Sequence, residues 1–125
     1  MKESDLYLPL KHFLESQNYE VKGEVQDCDM LAVRGAEVPV IIELKLSFNL
    51  NVVLQAVERL AFTSKVYIGV PIKCGILNRR RRQIIKLLKM LGLDLVAVDP
   101  ELKIGSLEVL LDPGEEESKP VHRRS

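Results

Sequence analysis

The chain has 125 residues, which fits one domain around one hydrophobic core. Apolar residues make up 46% of it, so a real core is within reach. No run approaches the roughly 18 apolar residues of a membrane span, which excludes a helical membrane protein. The formal net charge is zero, but the charges are unevenly placed. Between Pro71 and Leu93 stand seven Lys/Arg and no acid, whereas Asp112 to Glu117 holds four acids and no base. The first residues, MKESDLYLPL, contain no apolar stretch of the kind a secretion signal needs. The two cysteines, Cys28 and Cys74, therefore read as free thiols of a cytoplasmic protein, small core residues more than nucleophiles. Neither they nor the scattered His12 and His122 have zinc-ligand spacing.

The first predicted element is a helix over 4–17, capped by Ser4, with Leu6, Leu10, Phe13 and Leu14 at helical spacing and Asn18 ending it. Pro9 suggests that the regular part starts there. Residues 19–26 alternate apolar and polar, as a half-exposed strand does. A second strand runs over 29–34, residues 35–38 turn, and a third strand runs over 39–46. This third strand is apolar almost throughout, which predicts a central position. A helix over 50–62 follows, its apolar face expected to be Leu50, Val53, Leu54, Val57 and Leu60. KVYIGV, residues 65–70, makes a fourth strand. Asn78 is placed to cap a helix over 79–91 that Gly92 ends. Strands over 93–98 and 105–111 complete a domain of residues 1–112, and 113–125 reads as a disordered tail.

The links between the first three strands are too short for crossovers, so they form an antiparallel meander. The fourth arrives after a helix and can pair in parallel. The order α-β-β-β-α-β-α-β thus predicts an α/β (α+β) fold, a mixed sheet flanked by helices.

Chemistry concentrates in VPVIIELKLS, residues 38–47. Alternation puts Glu43 and Lys45 on one face of a buried strand and Ile42 and Leu44 on the other. Burying two charges there costs free energy unless they pair or hold a metal. A plain Glu43–Lys45 ion pair is one solution. Asp29 offers another. The hairpin between the second and third strands brings its start opposite the end of the next, so Asp29 converges on Glu43 and Lys45. Two carboxylates in one site repel unless a cation joins them. Oxygen ligands suit Mg²⁺ or Mn²⁺, which can activate water and offset charge on a phosphate. The lysine would then assist the water or the developing charge. Asp27, two residues before Asp29, is its rival.

The pattern CD, thirteen residues, then ELK, behind a helix and strand and ahead of a Gln-bearing helix, resembles the PD-(D/E)XK nuclease superfamily. Restriction endonucleases and Holliday-junction resolvases belong to it. Residues 6–71 are similar to a small, uncharacterised bacterial group of phosphodiesterases of that fold. The resemblance implies a restriction-endonuclease-like sheet and a Mg²⁺- or Mn²⁺-dependent nuclease. It implies Asp29 and Glu43 as metal ligands, with the Leu44 backbone carbonyl as a third, and Lys45 as the motif lysine. Here Cys28 stands where the motif has proline. Gln55 matches the glutamine that supports the lysine or the water in several subfamilies. Glu24 matches an upstream acid that some members use.

Arg79, Arg82, Lys86 and Lys89 share one helical face opposite Leu77, Ile84, Leu88 and Leu91. A solvated face explains such a stripe; four successive arginines without a nearby acid also suit phosphate contacts. Arg59 reads as part of a solvated helix face that could meet a phosphate. The expectation is a phosphodiesterase acting on nucleic acid, chiefly DNA. The alternative is an inactive module of the same fold that binds nucleic acid or a partner protein. A homodimer through the apolar SLEVLLD strand is a further expectation.

Overall fold

The computed structural model describes residues 2–23 and 30–99, and the backbone of a strand over 106–111. Helix α1 spans Ser4–Ser16, and strands β1, β2 and β3 span Glu20–Gly23, Met30–Val33 and Val40–Leu44. Helix α2 spans Leu50–Arg59 and strand β4 spans Lys65–Pro71. Helices α3 and α4 span Gly75–Arg79 and Arg81–Leu91, and strands β5 and β6 span Asp94–Asp99 and Ser106–Leu111.

The strands form a six-stranded sheet in chain order. β1, β2 and β3 are the antiparallel meander that their short links require. β4 pairs in parallel with β3 and β5 in parallel with β4, each after a helical crossover, and β6 closes the sheet antiparallel to β5. The α/β mixed sheet is therefore as expected. β3 is internal and buried along its whole length.

Two cores cover the two faces of the sheet. On one face α1 lays Leu6, Leu10 and Leu14 on Met30, Ala32, Val40, Ile42, Leu44, Val96 and Val98. On the other, α2 and the α3–α4 pair cover Ile41, Val66, Ile68, Val70, Leu95 and Ala97. The alternation of side chains along each strand sorts the residues between these cores. Glu43 follows Ile41 onto the face covered by α2.

Several local expectations change. Ser4 lies inside α1, and Glu3 takes the cap position without a side-chain bond. Pro9 is interior to the helix, which begins five residues earlier than it. The buried stripe Leu6, Leu10, Leu14 runs straight past Pro9, and its packing offsets the backbone bond that proline cannot make. Asn18 does end the helix, in the left-handed region at φ 72°, with Tyr19 N–H donating to the Leu14 carbonyl at 3.0 Å.

The helix expected over 79–91 is two helices. Arg80, at φ −127° and ψ 33°, separates α3 from α4, and Asn78 caps neither. A continuous helix would place Arg80 and Arg81 between the buried Leu77 and Ile84, one turn from each. Desolvating two guanidinium groups is far more costly than losing a turn of helix. The break turns all four arginines, 79 to 82, to solvent. Gly92 ends α4 in the left-handed conformation, φ 78°, as expected.

Gly69 marks the tightest approach under the site. A Cβ there would come within 2.8 Å of Leu44 Cδ2 and 3.5 Å of both Ile42 and Val96. Gly69→Ala is expected to lower stability by about 1–3 kcal/mol through overpacking, read as a lower urea midpoint at unchanged slope. Because the Gly69 carbonyl accepts the Lys45 N–H at 2.9 Å, the same substitution also disturbs the end of β3.

Candidate active site

The site begins with Glu43, on the internal strand β3 and facing α2. Its side chain is 3% exposed, and Oε2 accepts a hydrogen bond from Arg59 Nε at 2.8 Å. The Arg59 side chain is itself only 15% exposed. So the counter-charge of Glu43 is Arg59, sixteen residues away on α2, in place of the Glu43–Lys45 pair considered from the sequence. Arg59 is correspondingly not part of a solvated helix face.

Reaching Glu43 fixes how α2 is rotated. The helix buries Val52, Val53 and Ala56. Of the apolar face expected from the sequence, Val53 is buried and Leu60 packs against the same core, but Leu50 is 70% exposed and Leu54 53%. Asn49 anchors the start of the helix, its Oδ1 accepting the Val52 N–H at 3.1 Å. Gln55 and Arg59, one turn apart, are drawn to the flank that meets the sheet. Two polar side chains are thus partly covered while two leucines face water. The same orientation buries Val52, Val53 and Ala56 and brings Arg59 to the Glu43 carboxylate.

Gln55 Oε1 is buried and accepts no hydrogen bond from a described residue. Lys45 follows Leu44 at the end of β3, and its backbone extends the ladder through the bond to Gly69. Its side chain is half-buried. Asp29, the other predicted ligand, and Glu24, Asp27 and Cys28 lie outside the described residues. Met30, directly bonded to Asp29, pairs with Ile42, the neighbour of Glu43.

The donors present are hard oxygen ligands of the kind Mg²⁺ or Mn²⁺ takes: the Glu43 carboxylate, and a buried amide oxygen on Gln55. Among the described residues no three His, Cys, Asp or Glu side chains cluster. A divalent site built on Glu43 would need oxygen ligands beyond the described carboxylates.

An open groove of about 520 Å³ lies beside the end of β3, lined by Leu46, Ser47, Lys73, Cys74 and Arg79 among others. Arg79 also lines a second groove, of about 490 Å³, with Arg80, Arg81 and Arg82. Arg82, Lys86 and Lys89 are exposed along α4, while Arg79 belongs to α3, so the predicted four-residue stripe is spread over two helices. Leu91, expected on the buried face, is 37% exposed. Cys74 is a buried free thiol and His12 is exposed; His122 and the acidic tail lie outside the described residues. No described helix is long and apolar enough to cross a membrane.

Arg59 is the residue that sequence reasoning undervalued. Its signal was present in the spacing: Gln55 and Arg59 sit at i and i+4 on a helix that follows a strand carrying a buried acid. No family model, curated protein or solved structure matches the chain.

Proposed function

We propose that the chain is a metal-dependent phosphodiesterase acting on nucleic acid, chiefly DNA. The observation that carries this reading is the salt bridge Glu43–Arg59, enclosed between an internal strand and a helix on which Gln55 and Arg59 are partly covered while Leu50 and Leu54 are exposed. Local rules of burial are broken where a site needs charge. Lys45 on the next same-face position, and the resemblance of the CD…ELK pattern to the PD-(D/E)XK nucleases, support the same reading.

In this proposal Asp29, Glu43 and the Leu44 carbonyl are the groups that would hold the ion. Bound Mg²⁺ or Mn²⁺ supplies Lewis acidity and a water of lowered pKa. Lys45 places its ammonium beside the scissile phosphate, where it orients the attacking water and offsets the charge that develops on the phosphoryl oxygens. Gln55 directs its amide to the lysine or the water. The arginines at the α3–α4 junction, with Lys86 and Lys89, contact backbone phosphates, and Arg79, common to both grooves, links them to the end of β3. Such contacts add affinity without reading sequence.

The second reading, an inactive binding module, is favoured by one observation: Glu43 already has a counter-ion. Calorimetry with Mn²⁺ separates the two. The wild type is expected to bind Mn²⁺ in the presence of a phosphorothioate oligonucleotide, and Asp29→Ala to lose that binding. Equal heats from both proteins would favour the module.

A further inference from the structure

The Glu43–Arg59 pair has an electrostatic consequence that deepens the proposed reading and rests on it. A divalent cation on Glu43 would stand within a few ångströms of the Arg59 guanidinium, which is held 2.8 Å from the same carboxylate. Like charges at such a distance repel strongly away from bulk water: at an effective dielectric of 20, unit charges 4 Å apart interact by about 4 kcal/mol. Lys45 adds another positive charge at the next same-face position. Among the described residues the Glu43 carboxylate already stands against the cations of Arg59 and Lys45, and a divalent ion would add two further positive charges. A phosphodiester supplies a negative charge that relieves this.

We infer that Arg59 is an exchangeable counter-ion: it pairs with Glu43 when no ion is bound, and passes to a nucleic-acid phosphate when a divalent cation takes Glu43. The ion and the phosphodiester then bind cooperatively, each favouring the other by the same factor. An arginine suits the exchange, because it stays charged and its planar fork matches carboxylate and phosphate alike. Its half-turned position on the flank of α2, 15% exposed, leaves the side chain at the border between the sheet and solvent. No covalent bond changes in the exchange; only ion partners do.

The test measures Mn²⁺ affinity with and without a short phosphorothioate oligonucleotide in wild type, Arg59→Gln, Arg59→Lys and Glu43→Ala. In the wild type the oligonucleotide should tighten Mn²⁺ binding by about tenfold or more, within the usual range of coupling between sites. Arg59→Gln should bind Mn²⁺ alone more tightly than wild type, and the oligonucleotide should then add little. Arg59→Lys should restore the coupling, and Glu43→Ala should bind no Mn²⁺. Wild-type protein supplies a measurement independent of how well Arg59→Gln folds: adding Mg²⁺ should shift the Arg59 Nε–H resonance and remove its protection from solvent exchange. Unchanged or weaker Mn²⁺ binding in Arg59→Gln, or an Nε–H signal indifferent to saturating Mg²⁺, would overturn the exchange while leaving a metal site on Glu43 standing. No Mn²⁺ binding by wild type even with the oligonucleotide would overturn both.

Discussion

On the proposed phosphodiesterase reading, Lys45→Ala is expected to lower metal-dependent DNA cleavage by about 10²–10³-fold, the loss typical of removing one group aimed at charge developing in a transition state. The fold should survive the change. Lys45 sits at the end of β3, half-buried, and its structural contribution is made by the backbone through the Gly69 bond, which alanine retains. The carboxylate it neighbours keeps its own partner, because Glu43 is paired with Arg59. Truncation therefore strands no buried charge, and stability should change by no more than about 0.5 kcal/mol. Single-turnover cleavage of labelled DNA with Mn²⁺, beside thermal melting of the same preparations, measures both quantities. An active Lys45→Ala enzyme would remove the lysine from the mechanism. A variant that melts far below wild type would mean that the ammonium is part of the packing.

Breaking the Glu43–Arg59 pair should instead be a matter of stability. Exposed ion pairs contribute about 0–1 kcal/mol. This one is 3% and 15% exposed on its two sides, which places it with buried pairs, where removal of one partner costs about 3–5 kcal/mol. Arg59→Leu should lose that much by removing the cation held 2.8 Å from the buried Glu43 carboxylate, and Glu43→Leu should also destabilise the protein. The double variant, Glu43→Leu with Arg59→Leu, should recover most of the loss and could exceed wild type, since apolar replacement of a buried pair is often stabilising by about 1–4 kcal/mol. Urea denaturation of the four proteins gives the coupling directly. Single-variant losses under about 1 kcal/mol would show that solvent screens the pair. The double variant is informative for function as well. A stable protein without Glu43 should neither bind Mn²⁺ nor cleave, which would separate the site's chemistry from the fold it sits in.

The exposed leucines of α2 have a bearing on both results. Leu50 and Leu54 face water, and rotating the helix to bury them would carry Gln55 and Arg59 away from the sheet. The orientation observed keeps a cation on Glu43. In the double leucine variant that constraint disappears, and the helix is free to settle on the stripe that hydrophobicity prefers.

The sequence by itself determined the strands, their antiparallel meander and the parallel pairing after α2. Each follows from local quantities: a two-residue alternation, an uninterrupted apolar run, the length of a link. It also determined that Glu43 would be buried, because nearly every neighbour in VPVIIELKLS is apolar. What only the tertiary structure decided was the partner of Glu43. Periodicity offers one apolar face on α2, Leu50, Val53, Leu54, Val57 and Leu60, of which Val53 is buried and Leu60 packs against the core, while Val52 and Ala56 are buried in place of Leu50 and Leu54. In that orientation the helix also sets Arg59 2.8 Å from the carboxylate that the sheet presents beneath it, and a buried carboxylate is costly without such a partner. The break at Arg80 has the same origin. In each case the structure departs from the hydrophobic pattern where a charge is accommodated, and the charge's position was legible only once the strands and helices had been brought together.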